Sequence, residues 1–169
     1  MDTTRFIEQF PQIASVLEGA DHIDVKTVQG QVTLREFLAA MFNYQPGWVT
    51  ILYGVRAVFV RFLGMKQKGI PRPPKLKSED VGMIPGTKAA FFTVKMAQED
   101  SYYVAEISES HLKAALGVVM EPLPNNLNRF HVITIVHYNR WTGPVYFNVI
   151  RPFHHLVVGG MARAGVKKR

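Results

Sequence analysis

The chain has 169 residues, 47% of them hydrophobic and 20% charged, enough for one full core and too few for two comfortable domains. It contains no cysteine, which excludes disulfides, thiolate catalysis and cysteine-bound zinc and fits a reducing, cytoplasmic setting. The net charge of +7 is uneven, with seven basic residues and no acid from Arg56 to Lys77 and seven more without an acid from Pro122 onward.

Such asymmetry suits phosphates, anionic lipid or an acidic partner. No basic strand interleaved with aromatics and no recognition-helix pattern accompanies it, so no specific nucleic-acid partner is expected. The opening MDTTRFIEQF carries acids and lacks an apolar run, so no secretory signal is expected either.

Residues 2–18 read as an N-terminal helical extension, a short amphipathic helix or two turns broken at Pro11, with Phe6, Phe10, Ile13 and Leu17 inward. HIDVKTVQ alternates from Ile23 to Val28 and reads as a strand ended by Gly30. Thr33 with Glu36 three residues later forms a capping box for the helix TLREFLAAMFNY. Pro46 and Gly47 separate it from a second helix, Trp48 to Met65. That helix imitates a membrane span, but Arg56 and Arg61 lie inside it, and its apolar runs fall short of the ~20 residues a bilayer requires. Trp48, Leu52, Val55, Phe59 and Phe62 share one face, so a packed helix of a protein that is not transmembrane is expected.

Residues 66–87, rich in proline and lysine, read as an exposed linker or flap over a cavity mouth. Four strands follow: TKAAFFTVKMA, SYYVAEIS, HLKAALGVVME and RFHVITIVHYN. The third places Leu112, Ala114, Leu116, Val118 and Met120 on one face. Thr142 then reads as the N-cap of a long terminal helix, with Pro144 in its first turn. On that helix Val145, Val149, Phe153, Leu156 and Gly160 form an apolar stripe, with Tyr146, Ile150, Val157 and Met161 alongside and Asn148, Arg151 and His155 on the polar side. Pro152 removes one internal hydrogen bond, so either a cavity-opening kink or an incidental bend is expected there.

The resulting order, (α)βααββββα, implies an α+β fold in which a curved antiparallel sheet of at least five strands wraps around the long C-terminal helix. A cavity between the two is the natural small-molecule site.

This order, and the wording of the C-terminus, carry a resemblance. Asn139, Trp141, Gly143, Tyr146, Pro152, Phe153 and His154 form a strand-end corner, a Gly-x-x-Tyr turn and a Pro-Phe-His helix. Together with the DHIDV opening and the GTKAAFFTV strand, they resemble a bacterial family of unknown function within the START-like, birch-pollen-allergen-like superfamily, also called SRPBCC. The resemblance spans roughly residues 20–165 and implies a single helix-grip domain over 1–169 with a deep cavity. It carries over no catalytic residue.

Few residues read as chemistry. His131 and His137 share a strand face about 20 Å apart, too far to bind one metal. His154 and His155 diverge by roughly 100° on a helix. Glu106, Glu121, Asp21 and Asp24 form no dyad or Ser-His-Asp set, and no phosphate-cradling glycine loop is present, so neither a metal nor a cofactor is expected. Arg56 is the candidate cavity-facing cation; alternatively its stem packs while its head reaches solvent. With it, Phe92, Tyr103, Leu116, Val118, His137, Tyr138, Tyr146, Val149, Phe153 and Val157 make the candidate ligand-contacting set.

The leading expectation is therefore a binder of a small apolar molecule. The alternatives are a cyclase- or dehydratase-like enzyme acting on a hydrophobic substrate in the same cavity, and a basic module docking anionic lipid or an acidic partner through residues 56–77 and the KKR tail. The small-residue patch Gly159-Gly160-Met161-Ala162 suits close packing, either in a homodimer or against a neighbouring strand.

Overall fold

Two twelve-residue strands, β5 (Leu112–Leu123) and β6 (Leu127–Tyr138), form the centre of the protein. Their apolar residues alternate between faces, so the register pairs Leu116 with Thr134, Val118 with Val132 and Met120 with Phe130 on one side. Ala115 with Ile135 and Gly117 with Ile133 lie on the other. In this computed structural model, which describes residues 10–62, 64 and 75–167, every residue from Phe130 to Val136 is buried. The sheet is therefore covered on both faces.

β1 (His22–Gly30) pairs with β6, while β4 (Tyr102–Ser108), β3 (Phe92–Gln98) and β2 (Lys88–Ala89) extend the other edge. The result is a six-stranded antiparallel sheet of order β1-β6-β5-β4-β3-β2. The expected strand TKAAFFTVKMA is two strands, because Ala90 takes a left-handed backbone (φ 55) and turns the chain back on itself.

On the outer face α1 (Pro11–Leu17) buries Ile13 completely against the cluster that holds Val104, Ile133 and Ile135. The inner face receives α2 (Leu34–Phe42) and the long helix α4 (Thr142–Gly165), while α3 (Gly47–Phe62) lies alongside α4. This is a helix-grip fold, an α+β arrangement in which the curved sheet holds a C-terminal helix. No helix is long and apolar enough to cross a membrane among the described residues.

The capping box opens α2 as expected: the Thr33 backbone N–H donates to Glu36 Oε2 at 2.8 Å, and Glu36 N–H returns to Thr33 Oγ1 at 3.3 Å. α2 then clamps the C-terminal half of α4. Phe37 stacks on Phe130 of the sheet at 4.2 Å between ring centroids. Its other side is so close to Gly165 that a Cβ there would stand 2.5 Å from the ring. Gly160 gives way to Tyr44 in the same manner, with a Cβ meeting the ring at 2.6 Å. Of the patch Gly159–Ala162, Gly160 thus makes a close contact within the chain, against Tyr44 in the segment that follows α2.

This clamp sets the rotation of α4 and overturns two expectations. Tyr146, Phe147 and Val158 turn inward, whereas Val145, Val149, Phe153 and Leu156 are 42–59% exposed. On α3 only Val49 and Val60 are buried, and Trp48, Val55 and Phe62 of the expected packed face are exposed. Both helices are apolar on more than one stripe, and on α4 the stripe that reaches the core is the one that lets Gly160 and Gly165 approach Tyr44 and Phe37. Thr142 is the first helical residue rather than the N-cap, a position held by Trp141 without a side-chain cap bond. The helix continues through Pro152. Phe6, the flap residues 66–74 with their basic side chains, and the last two residues of the KKR tail lie outside the described residues.

Gly165→Ala should lower stability by about 1–3 kcal/mol, because its methyl group would enter a closed aromatic stack. Gly159→Ala should be neutral or slightly stabilising, since its Cβ would meet only the Arg163 guanidinium at 3.5 Å. Paired thermal melts of the two variants check this; equal losses would contradict the clamp.

Candidate functional site

Beyond the clamp, Tyr146 and Phe147 at the start of α4 pack against Leu112 and Val136, but α3 does not fill the remaining space between the helices and the sheet. A cavity of about 300 Å³ remains. Leu52 and Phe59 of α3, Val149, Ile150, Phe153 and Val157 of α4, and Leu112, Ala114 and Leu116 of β5 contribute apolar walls. Val55, Val149 and Phe153 line it and are also exposed, so its mouth opens between α3 and α4 through an apolar rim.

One end of the cavity is polar. Arg56 projects from α3, and its Nε–H donates to the Tyr146 hydroxyl. Its guanidinium carbon lies 5.5 Å from the centre of the same ring. Arg56 Nη2 also lies 3.5 Å from Glu109 Oε2, and His111 Nε2 lies 3.6 Å from that oxygen. The His111 ring packs edge-on against Tyr146 at 4.7 Å. His111 is 3% exposed, and its Nε2 has no hydrogen-bond partner among the described residues. Burial pushes the His111 imidazole below its usual range, with Glu109 pulling it up and Arg56 pushing it further down. Burial likewise raises the Tyr146 phenol, against the pull of Arg56. For the Arg56 guanidinium, burial is outweighed by Tyr146 and Glu109, so it stays firmly charged.

The C-terminal motif builds this polar end. Glu109 and His111 sit in the turn between β4 and β5, and Asn139 holds that turn twice. Its side-chain amide donates to the Glu109 carbonyl at 2.9 Å, and its backbone N–H donates to the His111 carbonyl at 2.9 Å. At Gly143 a Cβ would lie 2.6 Å from the His111 carbonyl oxygen, so only glycine lets α4 start there. Tyr146 follows one turn later. Trp141, by contrast, is 78% exposed.

Of the residues expected to contact a ligand, Arg56, Phe92, Leu116, Tyr146, Val149, Phe153 and Val157 border the cavity together. Tyr103 and Val118 also face inward but lie fully buried in the cluster beneath α2, where Phe42 stands 6.3 Å from the Tyr103 ring. The Tyr103 hydroxyl has no hydrogen-bond partner among the described residues, and burial pushes its pKa up, so the phenol stays protonated. Tyr138 faces inward at the sheet's end, beside Gly143 and 6.2 Å from Phe147. His137 is on the outer face, because strand alternation opposes it to Tyr138. Its ring nitrogens meet the carbonyls of Val16 and Gly19 at 3.2 Å, fastening α1 to the sheet.

Glu109, His111, Thr134 and His154 also border the chamber and stand outside the expected ligand-contacting set. Of these, His154 recurs with Tyr146 and Ile150 at four-residue spacing, a signal that the competing apolar stripe masked. His154 Nε2 lies 3.4 Å from Thr134 Oγ1, and burial, reinforced by His155, pushes its imidazole down to about 4. Outside the cavity Asp24 Oδ2 meets Lys26 Nζ at 3.1 Å and His155 Nδ1 at 3.2 Å, joining β1 to α4. Although burial opposes it, that pairing holds the Asp24 carboxyl below its usual range. No three His, Asp or Glu side chains converge to hold a metal ion among the described residues.

Fold and site together define a helix-grip protein with an apolar chamber closed at one end by a small polar cluster. The chain belongs to the family described as "Protein of unknown function (DUF2867)", whose model matches residues 16–161. No curated protein matches it. Among solved structures, the crystal structure of Ara h 8.0201 is similar over 87% of this chain and 99% of that chain, at 10% identity and a TM-score of 0.42.

A group that stays neutral when folded but takes up a proton when unfolded makes stability rise with pH between its two pKa values. For His154 that window runs from about 4 to 6.5, and the downward shifts of His22, His111 and His131 act in the same direction. Acidification from pH 7 should therefore cost the fold roughly 2–3 kcal/mol through His154 alone by the time the pH passes its folded pKa. The neighbouring His22, Asp24, Lys26 and His155 charges modulate that figure. Denaturant titrations across this window should give a flatter profile for His154→Gln than for the parent; parallel profiles would contradict the assignment.

Proposed function

We propose that this protein binds a small, mostly apolar molecule in the chamber between the sheet, α3 and α4. The observation that carries the reading is the chamber's composition. Its walls are apolar side chains, its mouth is an exposed apolar rim, and its few polar groups gather at one end. A space of about 300 Å³ falls at the small end of the range for ligand pockets. Apolar surface left uncovered at the rim favours an occupant that can cover it.

The cyclase- or dehydratase-like alternative draws support from one geometric fact, the Arg56 guanidinium bonded to the Tyr146 hydroxyl on the cavity wall. A phenol backed by a cation polarises a carbonyl. Of the other residues expected to serve such chemistry, His137 faces away and Tyr138 lies at the sheet's end, so binding is the better-supported reading.

Purified protein should carry an extractable apolar molecule, visible by native mass spectrometry, or should enhance the fluorescence of N-phenylnaphthylamine. Ala114→Phe places a ring in the chamber from its floor and should weaken dye binding at least about tenfold while the protein stays folded. Failure of the parent protein to bind either, or unchanged binding in a folded Ala114→Phe variant, would reject the chamber as the site.

A further inference from the structure

The polar end of the chamber holds one cation and one anion. Glu109 Oε2 stands 3.5 Å from Arg56 Nη2 and 3.6 Å from His111 Nε2. Both separations exceed the 2.7–3.2 Å of a well-made N–H···O bond. The Arg56 Nε–H is already used on Tyr146, whereas His111 Nε2 is buried without a hydrogen-bond partner among the described residues. Around Glu109 Oε2 thus stand a guanidinium at the long limit of a hydrogen bond and an imidazole nitrogen without a hydrogen-bond partner among the described residues, so the three groups meet without a well-made bond.

We infer that this end recognises an uncharged hydroxyl head, as on an alcohol or phenol, attached to the apolar body that fills the chamber. A hydroxyl is both donor and acceptor. Its O–H donates to the Glu109 carboxylate, and its oxygen accepts from Arg56 or from His111, so one small group meets the outstanding demands of the cluster. A carboxylate head would place a second anion beside Glu109 with a single guanidinium between them, a repulsion that the 37% exposure of the Glu109 side chain softens without removing. An ammonium head would meet Arg56 in the same way. A head with no polar atom would leave the three groups as they stand. The inference rests on the binding reading above and adds the chemical class of the ligand to it.

The test is competition near neutral pH, with decanol, decanoic acid, decylamine and decane each displacing N-phenylnaphthylamine from the full chain. Decanol should displace the dye at a concentration roughly tenfold below that needed for the other three, the effect of one well-made hydrogen bond to a charged group. Glu109→Gln retains the backbone bonds of its turn but removes the anion. In that variant the preference should move toward decanoic acid, now facing an unopposed Arg56. Equal displacement by all four, or tighter binding of decanoic acid to the unaltered protein, would overturn the hydroxyl assignment while leaving the chamber intact. If the dye and all four competitors fail to bind, the chamber reading itself falls, and this inference with it.

Discussion

The contact on which the rest of the structure depends is the one between α2 and the C-terminal half of α4. Phe37 lies flat on Phe130 and against Gly165, and Tyr44 fills the space beside Gly160. Aromatic rings against bare backbone leave no slack, because interiors are packed to near-crystalline density and an extra methyl group has nowhere to go. Once that half of the helix is fixed, its axial rotation is fixed everywhere. The other half must then present Tyr146, Ile150 and His154 to the sheet, whatever the apolarity of the remaining stripes. The chamber is the space left where the two halves of one helix meet different neighbours.

The polar end shows how structural and functional duties overlap in the C-terminal motif. Asn139 ties down the turn that carries Glu109 and His111, Gly143 permits the helix to begin against it, and Tyr146 joins Arg56 across the chamber. Asn139 and Gly143 act on a turn thirty or so positions earlier in the chain, and Tyr146 on a helix residue ninety positions earlier, so their roles appear only once the β5–β6 hairpin has brought strand ends together. Buried polar groups of this kind are costly unless they are satisfied, which is why their partial satisfaction is informative.

Much of the architecture was legible in the sequence. The inward set of β5, from Leu112 to Met120, follows from alternation alone, and the capping box at Thr33 located the start of α2. The strand-rich middle followed by a long helix implied the grip. The rotation of the two long helices was not legible. Val145, Val149, Phe153 and Leu156 make a cleaner stripe than the residues that are buried, and periodicity cannot rank two apolar faces. The deciding information sat in Gly160 and Gly165, whose meaning depends on rings over a hundred residues away. Similarly, alternation separated His137 from Tyr138 but could not say which of the two faced the helix; Thr134, three residues before His137, provides that reference only after the register is known. Seven residues of the expected ligand set converge on the chamber, four of them (Tyr146, Val149, Phe153 and Val157) because both the buried and the exposed apolar stripes of α4 border it.

The division of α4 into a half clamped by α2 and a half that borders the chamber has a consequence for how such a protein can diversify. Near Gly160 and Gly165 a larger side chain unseats the helix, so change there is closed off. Along Val149, Phe153 and Val157 a side chain can swap size without touching the fastening, and each swap reshapes the room inside. One helix thus separates persistence of form from freedom of taste, and guests of new shape become reachable through substitutions that leave the fold as sturdy as before.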